Sequence, residues 1–382
     1  MKYKDDWPEA RGRLTNLWEG KPADRPCIAV AVSKAQHTIL KPADKHDRKE
    51  WGSHLQLSNE SLWLDPDFVI PDALSKIDST WWGGEAIPSY LLMGGWVISL
   101  GGRPRFDART IWFDTFAVDF DKPHPFHHNP HDPWVTKFFR LYSAMAKAAG
   151  KDDFLVGSPA ILPVHDLLSM HLGTQEFMTA LYDHPEWMLK AILDGAKELI
   201  QVRAELRQQF SGQHDFWYGN AGWMPFWAPT EYIGTQSDLS CMLSPDHFEQ
   251  FVVPELDLYG KAFGAMWYHL DGGDAVHHLP RLLSLPYMRA IQYVPHPGEP
   301  LNGVAHLPMY RKIQEAGRIV HIEVTMDQVE PLCRALDPSL LMLDVSWMFK
   351  TTGEAQDLLE SAKRWTSAKS QRSSSLISWP AL

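Results

Sequence analysis

Residues 265–295, AMWYHLDGGDAVHHLPRLLSLPYMRAIQYVP, decide the fold. The run MWYHLD is short, apolar and aromatic, and it turns polar at its end, as a buried strand does on leaving the core. Two glycines interrupt it. AVHHLPRLLSL then repeats its apolar residues at helical spacing, and RAIQYVP is a second strand. A strand, a helix and a strand in immediate succession form a βαβ unit, whose two strands lie parallel in one sheet.

The same rhythm runs outward in both directions. Downstream come LPMYRKIQEAG (helix), RIVHIEV (strand), MDQVEPLCRAL (helix), LLMLDVSW (strand) and TGEAQDLLESAKRW (helix). Upstream, SPDHFEQFVVPELDLYGKAFG opens with Ser244 as N-cap and Pro245 at the first helical position. SDLSCML reads as a strand, HDFWYGNAGW as a strand and loop, and FLVGSP as a strand. VTKFFRLYSAMAKAAG, DLLSMHLG, TQEFMTALYD and HPEWMLKAILDGAKELIQVRAELRQQF are helical. CIAVAV, at 27–32, suits a strand buried on both faces, and the residues before it form a helix. Strands that alternate with helices to the end of the chain predict an α/β fold, a closed (β/α)8 TIM barrel with an elaborated N-terminal region. The expected layout is one domain over 1–366, irregular in its 1–133 part, and a Ser-rich tail over 367–382. The sequence has neither G-x-G-x-x-G nor G-x-x-x-x-G-K-[ST], so nucleotide binding has no motif.

Composition narrows the classes. The chain has 382 residues, is 45% hydrophobic, and carries a formal charge of −11, with no basic stripe to meet a phosphate backbone, so nucleic acid is not an expected partner. The first residues lack the apolar core of a signal peptide, and no apolar run is long enough for a bilayer. The three cysteines form no C-x-x-C pair, so the expected setting is cytoplasmic, without a disulfide framework or zinc ribbon. Seventeen tryptophans read first as core, with Trp81-Trp82 and FWYGNAGWMPFW as candidates for lining a pocket for a flat ligand. DKPHPFHHNPHDPW carries several histidines but no i, i+4 pair on a helix, which reads as a solvated turn. A homodimer is the default assembly.

In a (β/α)8 barrel, chemistry sits at the C-terminal ends of the strands. The period of two puts Trp267, His269 and Asp271 on one face of their strand. In the same way it groups His321 with Glu323, Asp344 with Ser346, Gln292 with His296, and Asp238 with Ser240, while FWYGNAG ends near Asn220. Successive strands that all end in polar groups argue for a convergent site, because buried polar groups are costly without partners. The catalytic candidates are His269, Asp271, His321, Glu323 and Asp344. Trp217, Asn220, Trp223, Asp238, Trp267, Gln292 and Ser346 are candidates for binding a small-molecule substrate. Imidazole and carboxylates in this pattern can hold a divalent metal through His269, Asp271 and Asp344, or serve as general acid and base. His277 and His278, consecutive in a helix, diverge and read as a solvated face.

LSPDHFEQFVVPEL, YHLDGGDAVHHLPRLLSLPYMRAIQYVPHPG and IVHIEV resemble the uroporphyrinogen decarboxylase superfamily, as does GSPAILPVHDLLSMHLGTQEFMTALYDHPEWM. That superfamily also holds the zinc-dependent, corrinoid-linked methyltransferases. The resemblance extends over 152–365 and implies a (β/α)8 barrel. The Arg-rich RQAGRY motif of the decarboxylases is absent; the corresponding region reads DRPCIAVAVSKAQHT. The methyltransferase branch holds zinc through H-x-C on one strand and a Cys on the last. Here His269 falls where that His would, Asp271 replaces the first Cys, and Asp344 or Ser346 lies near the second. The resemblance thus implies methyl-group transfer at a His/Asp-rich site, with a divalent metal such as zinc and a corrinoid protein as partner. The alternatives are a cofactor-free decarboxylase or lyase acting on a cyclic carboxylated substrate, and a barrel that binds a tetrapyrrole or other small ligand without chemistry.

Overall fold

The computed structural model describes residues 1–35, 58–90, 98–107, 110–156, 162–208, 219–220, 224–346 and 348–370, with 219–220 and 367–370 given by backbone only. Its strands are β1 (Cys27–Ser33), β2 (Thr80–Gly84), β3 (Pro104–Phe106), β4 (Ile111–Phe113), β5 (Gly219–Asn220), β6 (Phe226–Trp227), β7 (Ile233–Gln236), β8 (Met266–Asp271), β9 (Met288–Val294), β10 (Ile319–Glu323) and β11 (Leu341–Asp344). One seven-stranded sheet runs in the order β2-β1-β11-β10-β9-β8-β7. Every neighbour pair in it is parallel except β1–β2, which is antiparallel. The strand order never reverses, and the last strand lies beside the first, as in a singly wound sheet rather than a doubly wound one. Short two-stranded ribbons, β3-β4 and β5-β6, stand apart.

Parallel strands must be covered on both faces, and the alternation of side chains divides them. One face carries Ile28, Val30, Ile233, Tyr268, Leu270, Ile291, Val320, Ile322 and Leu343 into the larger core, beneath the connecting helices. The other face carries Cys27, Ala29, Trp267, Ala290, Ile319 and Met342 into a second cluster. That cluster is closed by Trp7, Leu14 and Trp18 of the helix Trp7–Glu19, and by Phe226 and Trp227. Four tryptophans, Trp7, Trp18, Trp227 and Trp267, are buried here, and Trp7 meets Trp227 edge-on at 5.5 Å. The helix stops at Gly20, whose φ of 67° is left-handed, a conformation that costs glycine least.

SDLSCML is not a strand. The strand β7 ends at Gln236, and Asp238–Met242 is a 3-10 helix. Its polar side chains compete with sheet pairing for the backbone: Ser240 Oγ donates to Ser237 O at 2.6 Å, and Cys241 Sγ to Asp238 O at 3.3 Å. The histidine tract is largely solvated, with His127 and His131 exposed, but His124 and Phe126 anchor it. His124 sits 3.3 Å from Asp194 and His127 Nδ1 2.8 Å from Glu198, both on the long helix Pro185–Gln208. Among the described residues, no helix is long and apolar enough to cross a membrane.

Candidate functional site

The inner face changes character along the strands. Below lie Trp267, Ala290, Ile319 and Met342. Above, the register aligns Gln236 with His269, His269 with Gln292, and Gln292 with His321, then Glu323 with Asp344. The polar residues therefore share one face at the C-terminal ends of adjacent parallel strands.

Among the described residues, one group brings three metal-ligating side chains together: Asp238, His269 and Asp271 offer donor atoms within 4.8 Å of one another. His269 is 8% exposed, and its orientation is fixed from the neighbouring strand. Gln292, wholly buried, donates through Nε2 to Tyr293 O at 3.1 Å, which leaves its Oε1 to accept from His269 Nδ1. That bond assigns the proton to Nδ1 and the lone pair to Nε2, the nitrogen 4.0 Å from Asp271 Oδ1. Burial lowers the His269 pKa, so the neutral, ligating form is favoured, although Gln292 and Asp271 oppose the shift.

Asp238 is placed by a buried network. Asp166 accepts from the N–H groups of Asp238 at 2.9 Å and Leu239 at 3.3 Å, capping the 3-10 turn from another helix. Beside it, His165 Nε2 meets Ser237 Oγ at 2.8 Å, and His165 Nδ1 meets Glu255 at 2.7 Å. Glu255 also accepts from Val164 N at 2.6 Å and Tyr259 OH at 2.7 Å. Burial alone would depress the His165 pKa, but Asp166 and Glu255 outweigh it and raise it, so the flanking carboxylates favour the protonated ring. The Asp238 carboxyl reaches solvent, yet desolvation by the protein beneath it, then Asp166 and Asp271, push it up to about 7. The sequence reading missed His165, Asp166 and Glu255. The signal was present: HD opens the otherwise apolar helix Val164–Leu172, and a lone Glu interrupts FVVPELDLY.

The remaining candidates are distributed differently. His321, in register with Gln292, is 0% exposed. Its Nδ1 accepts from Trp267 Nε1 at 3.0 Å, and its Nε2 has no hydrogen-bond partner among the described residues. Burial pushes its pKa down to about 3. Trp267 is itself buried in the lower cluster. Glu323 and Asp344 are register partners on β10 and β11, and desolvation followed by Asp344 raises Glu323. Burial raises Asp344 against the bonds from Ser346, whose N–H donates to it at 2.8 Å. Ser346 Oγ accepts from Ala31 N at 3.1 Å, tying β11 to β1. Asp344 stands three strands from β8 and is not in the three-residue group. Trp217, Trp223 and the side chain of Asn220 lie outside the described residues.

Of His277 and His278, the first is exposed, as expected of a solvated face, but His278 is buried. Their rings lie 3.7 Å apart in a 3-10 turn, and both bind backbone carbonyls. His278 is buried and stacks on Phe248 at 4.0 Å, so it locks the turn to its neighbour.

The three donors fit a borderline or hard divalent cation: one imidazole nitrogen with its tautomer fixed, and two carboxylates. A thiolate site does not fit. Cys241 spends its Sγ–H on Asp238 O, and Cys27 and Cys333 are buried with their pKa values raised by burial.

No protein-family model and no curated protein matches this sequence. Among solved structures, the chain is similar to a methyltransferase from Methanosarcina mazei, with a TM-score of 0.55 and 12% identity over 93% of this chain and 98% of that one. At that identity the likeness is one of fold, and it extends over nearly the whole of both chains.

Proposed function

We propose that this chain is an enzyme of methyl-group transfer, acting at a divalent-cation site made by Asp238, His269 and Asp271 at the mouth of a sheet that closes as a (β/α)8 barrel. One observation carries the reading: three ligating groups converge at the C-terminal ends of parallel strands, with the His269 tautomer preset by Gln292. The shared fold with a methyltransferase supports it. A cation held there would lower the pKa of an acceptor thiol or hydroxyl, making it the nucleophile that receives the methyl group. Of the protein's own groups, Gln292 orients His269, Asp166 presents Asp238, and the apolar layer at Trp267 excludes water from below. A corrinoid protein is the proposed source of the methyl group.

Metal analysis of the purified protein and a methyl-transfer assay with methylcobalamin and a thiol acceptor test this. A stoichiometric divalent metal and transfer lost in His269→Ala are expected; no metal and no transfer to or from cobalamin would refute it.

A second reading has its own support. An aspartic acid held up at about 7, as Asp238 is, can donate a proton at neutral pH, as a decarboxylase or lyase requires. Carbon dioxide release from a cyclic carboxylated substrate in chelator-treated buffer, lost in Asp238→Asn, would favour this reading over methyl transfer.

A further inference from the structure

We infer that His296 is a positioning residue for the cation site: it holds the outer oxygen of Asp271 so that the inner one faces the cation. The inference rests on the cation-site reading above and adds a residue to it.

Asp271 stands between two imidazoles. Its Oδ1 lies 4.0 Å from His269 Nε2, and its Oδ2 lies 3.8 Å from His296 Nε2. Both separations exceed a hydrogen bond. His296 is not in the group of three whose donors lie mutually close, and it approaches the oxygen of Asp271 that His269 does not. A modest turn of Asp271 toward a cation at Oδ1 would leave Oδ2 to accept a hydrogen bond from His296.

The loop bearing His296 is built into the strand end. Gly272 has φ 75° and ψ 160°, and a Cβ there would stand 2.1 Å from His296 Nε2, with two further ring atoms within 2.3 Å. The imidazole therefore lies directly on the Gly272 backbone, where no other residue leaves room. Gly273 serves Glu299 in the same way: a Cβ there would meet Glu299 Oε1 at 2.4 Å. Glu299 accepts from Gly273 N at 3.0 Å, His296 N at 2.8 Å and Tyr293 OH at 3.2 Å. One carboxylate thus clasps the end of β9 to the end of β8, with His296 in between. The double glycine that ends the strand in the sequence is also a seat for this clasp.

Hydrogen bonds to a ligating carboxylate fix its orientation, and their loss costs about 10- to 100-fold in metal affinity. The test is Co2+ binding, followed by visible absorption and by competition with Zn2+, in the wild-type chain, His296→Ala, His296→Gln and His269→Ala. His296→Ala should bind about 10- to 100-fold more weakly, with a changed cobalt spectrum and an unfolding midpoint near that of the wild type. His296→Gln, which keeps an N–H donor, should recover part of the affinity, a result that loss of packing alone would not give. Wild-type affinity and spectrum in His296→Ala would overturn the inference while leaving the site standing. If the wild type binds no Co2+, or His269→Ala binds it equally, the cation-site reading itself fails.

Discussion

His321 offers a sharp test of where the candidate site stops. It is fully buried with its pKa pushed down to about 3, whereas the unfolded chain would bind a proton on it near 6.5. A base whose folded pKa is depressed contributes stability above the unfolded value and loses it as pH falls toward the folded value. Between about pH 6.5 and pH 4.5 the slope rises toward about 1.4 kcal/mol per pH unit, and the loss is about 2.3 kcal/mol in all. The perturbation is His321→Gln, because a glutamine oxygen can still accept from Trp267 Nε1. At neutral pH the variant should be less stable by about 1–3 kcal/mol, from imperfect filling of the site and a strained hydrogen bond. Below about pH 6.5 the wild type pays a proton-exclusion cost that the variant lacks, so the gap should close and can change sign. Urea unfolding followed by far-ultraviolet circular dichroism across this range measures both curves. Other buried histidines with depressed pKa values, such as His171 at about 4, titrate in both proteins and subtract out. Parallel curves would refute the reasoning. They would mean that His321 takes up its proton in the folded state near its ordinary pKa, and is therefore reachable as a proton donor.

Further outcomes follow from the same geometry. Gln292→Leu removes the acceptor that fixes the His269 tautomer, so Zn2+ affinity by calorimetry should fall by about 10- to 100-fold; unchanged affinity would count against that role. Asp166→Ala leaves the amides of Asp238 and Leu239 without their acceptor and His165 without one of its carboxylates, at a cost of about 3–5 kcal/mol. Hydrogen exchange at those two amides should speed up, and retained protection would contradict the capping assignment. A thiol reagent should label the native chain at Cys241 alone, slowly, since Cys27 and Cys333 are buried; rapid reaction of a second thiol before unfolding would show that the core differs from this description.

The strand–helix alternation was legible because parallel strands buried on both faces and amphipathic helices have different periods. The shared face of His269, Asp271, Gln292, His321 and Glu323 was legible for the same reason, since alternation is enough to sort side chains along a strand. Depth along that face was not. His321 and His269 look alike in their strands, yet one lies in a dry layer beside Trp267 and Phe226, while the other faces Asp271 at the rim. Only the packing of distant segments separates them. SDLSCML was misread because its apolar content suits a strand, whereas a carboxylate from 72 residues earlier caps its first turn. Asp344 looked equivalent to Asp271 at the strand ends, but the strand order sets it beside Glu323 instead.

The gradient along the inner face also explains why the candidate site takes oxygen ligands without becoming unstable. A carboxylate buried as deeply as His321 would need a full counter-charge at close range. Asp238 and Asp271 avoid this by standing at the rim, where Asp238 reaches solvent and Asp271 is half-buried. Desolvation raises Asp238 most, and Asp166 and Asp271 add to it; a divalent cation would offset the repulsive part on binding. One cation of charge +2 would neutralise the two carboxylates while His269 stays neutral. Two thiolates would carry the same charge but would favour softer ions. Carboxylate donors at Asp238 and Asp271 would therefore favour harder cations than thiolates would. Affinity there would depend on pH near neutrality, because Asp238, held up at about 7, competes with protons where the cation must enter.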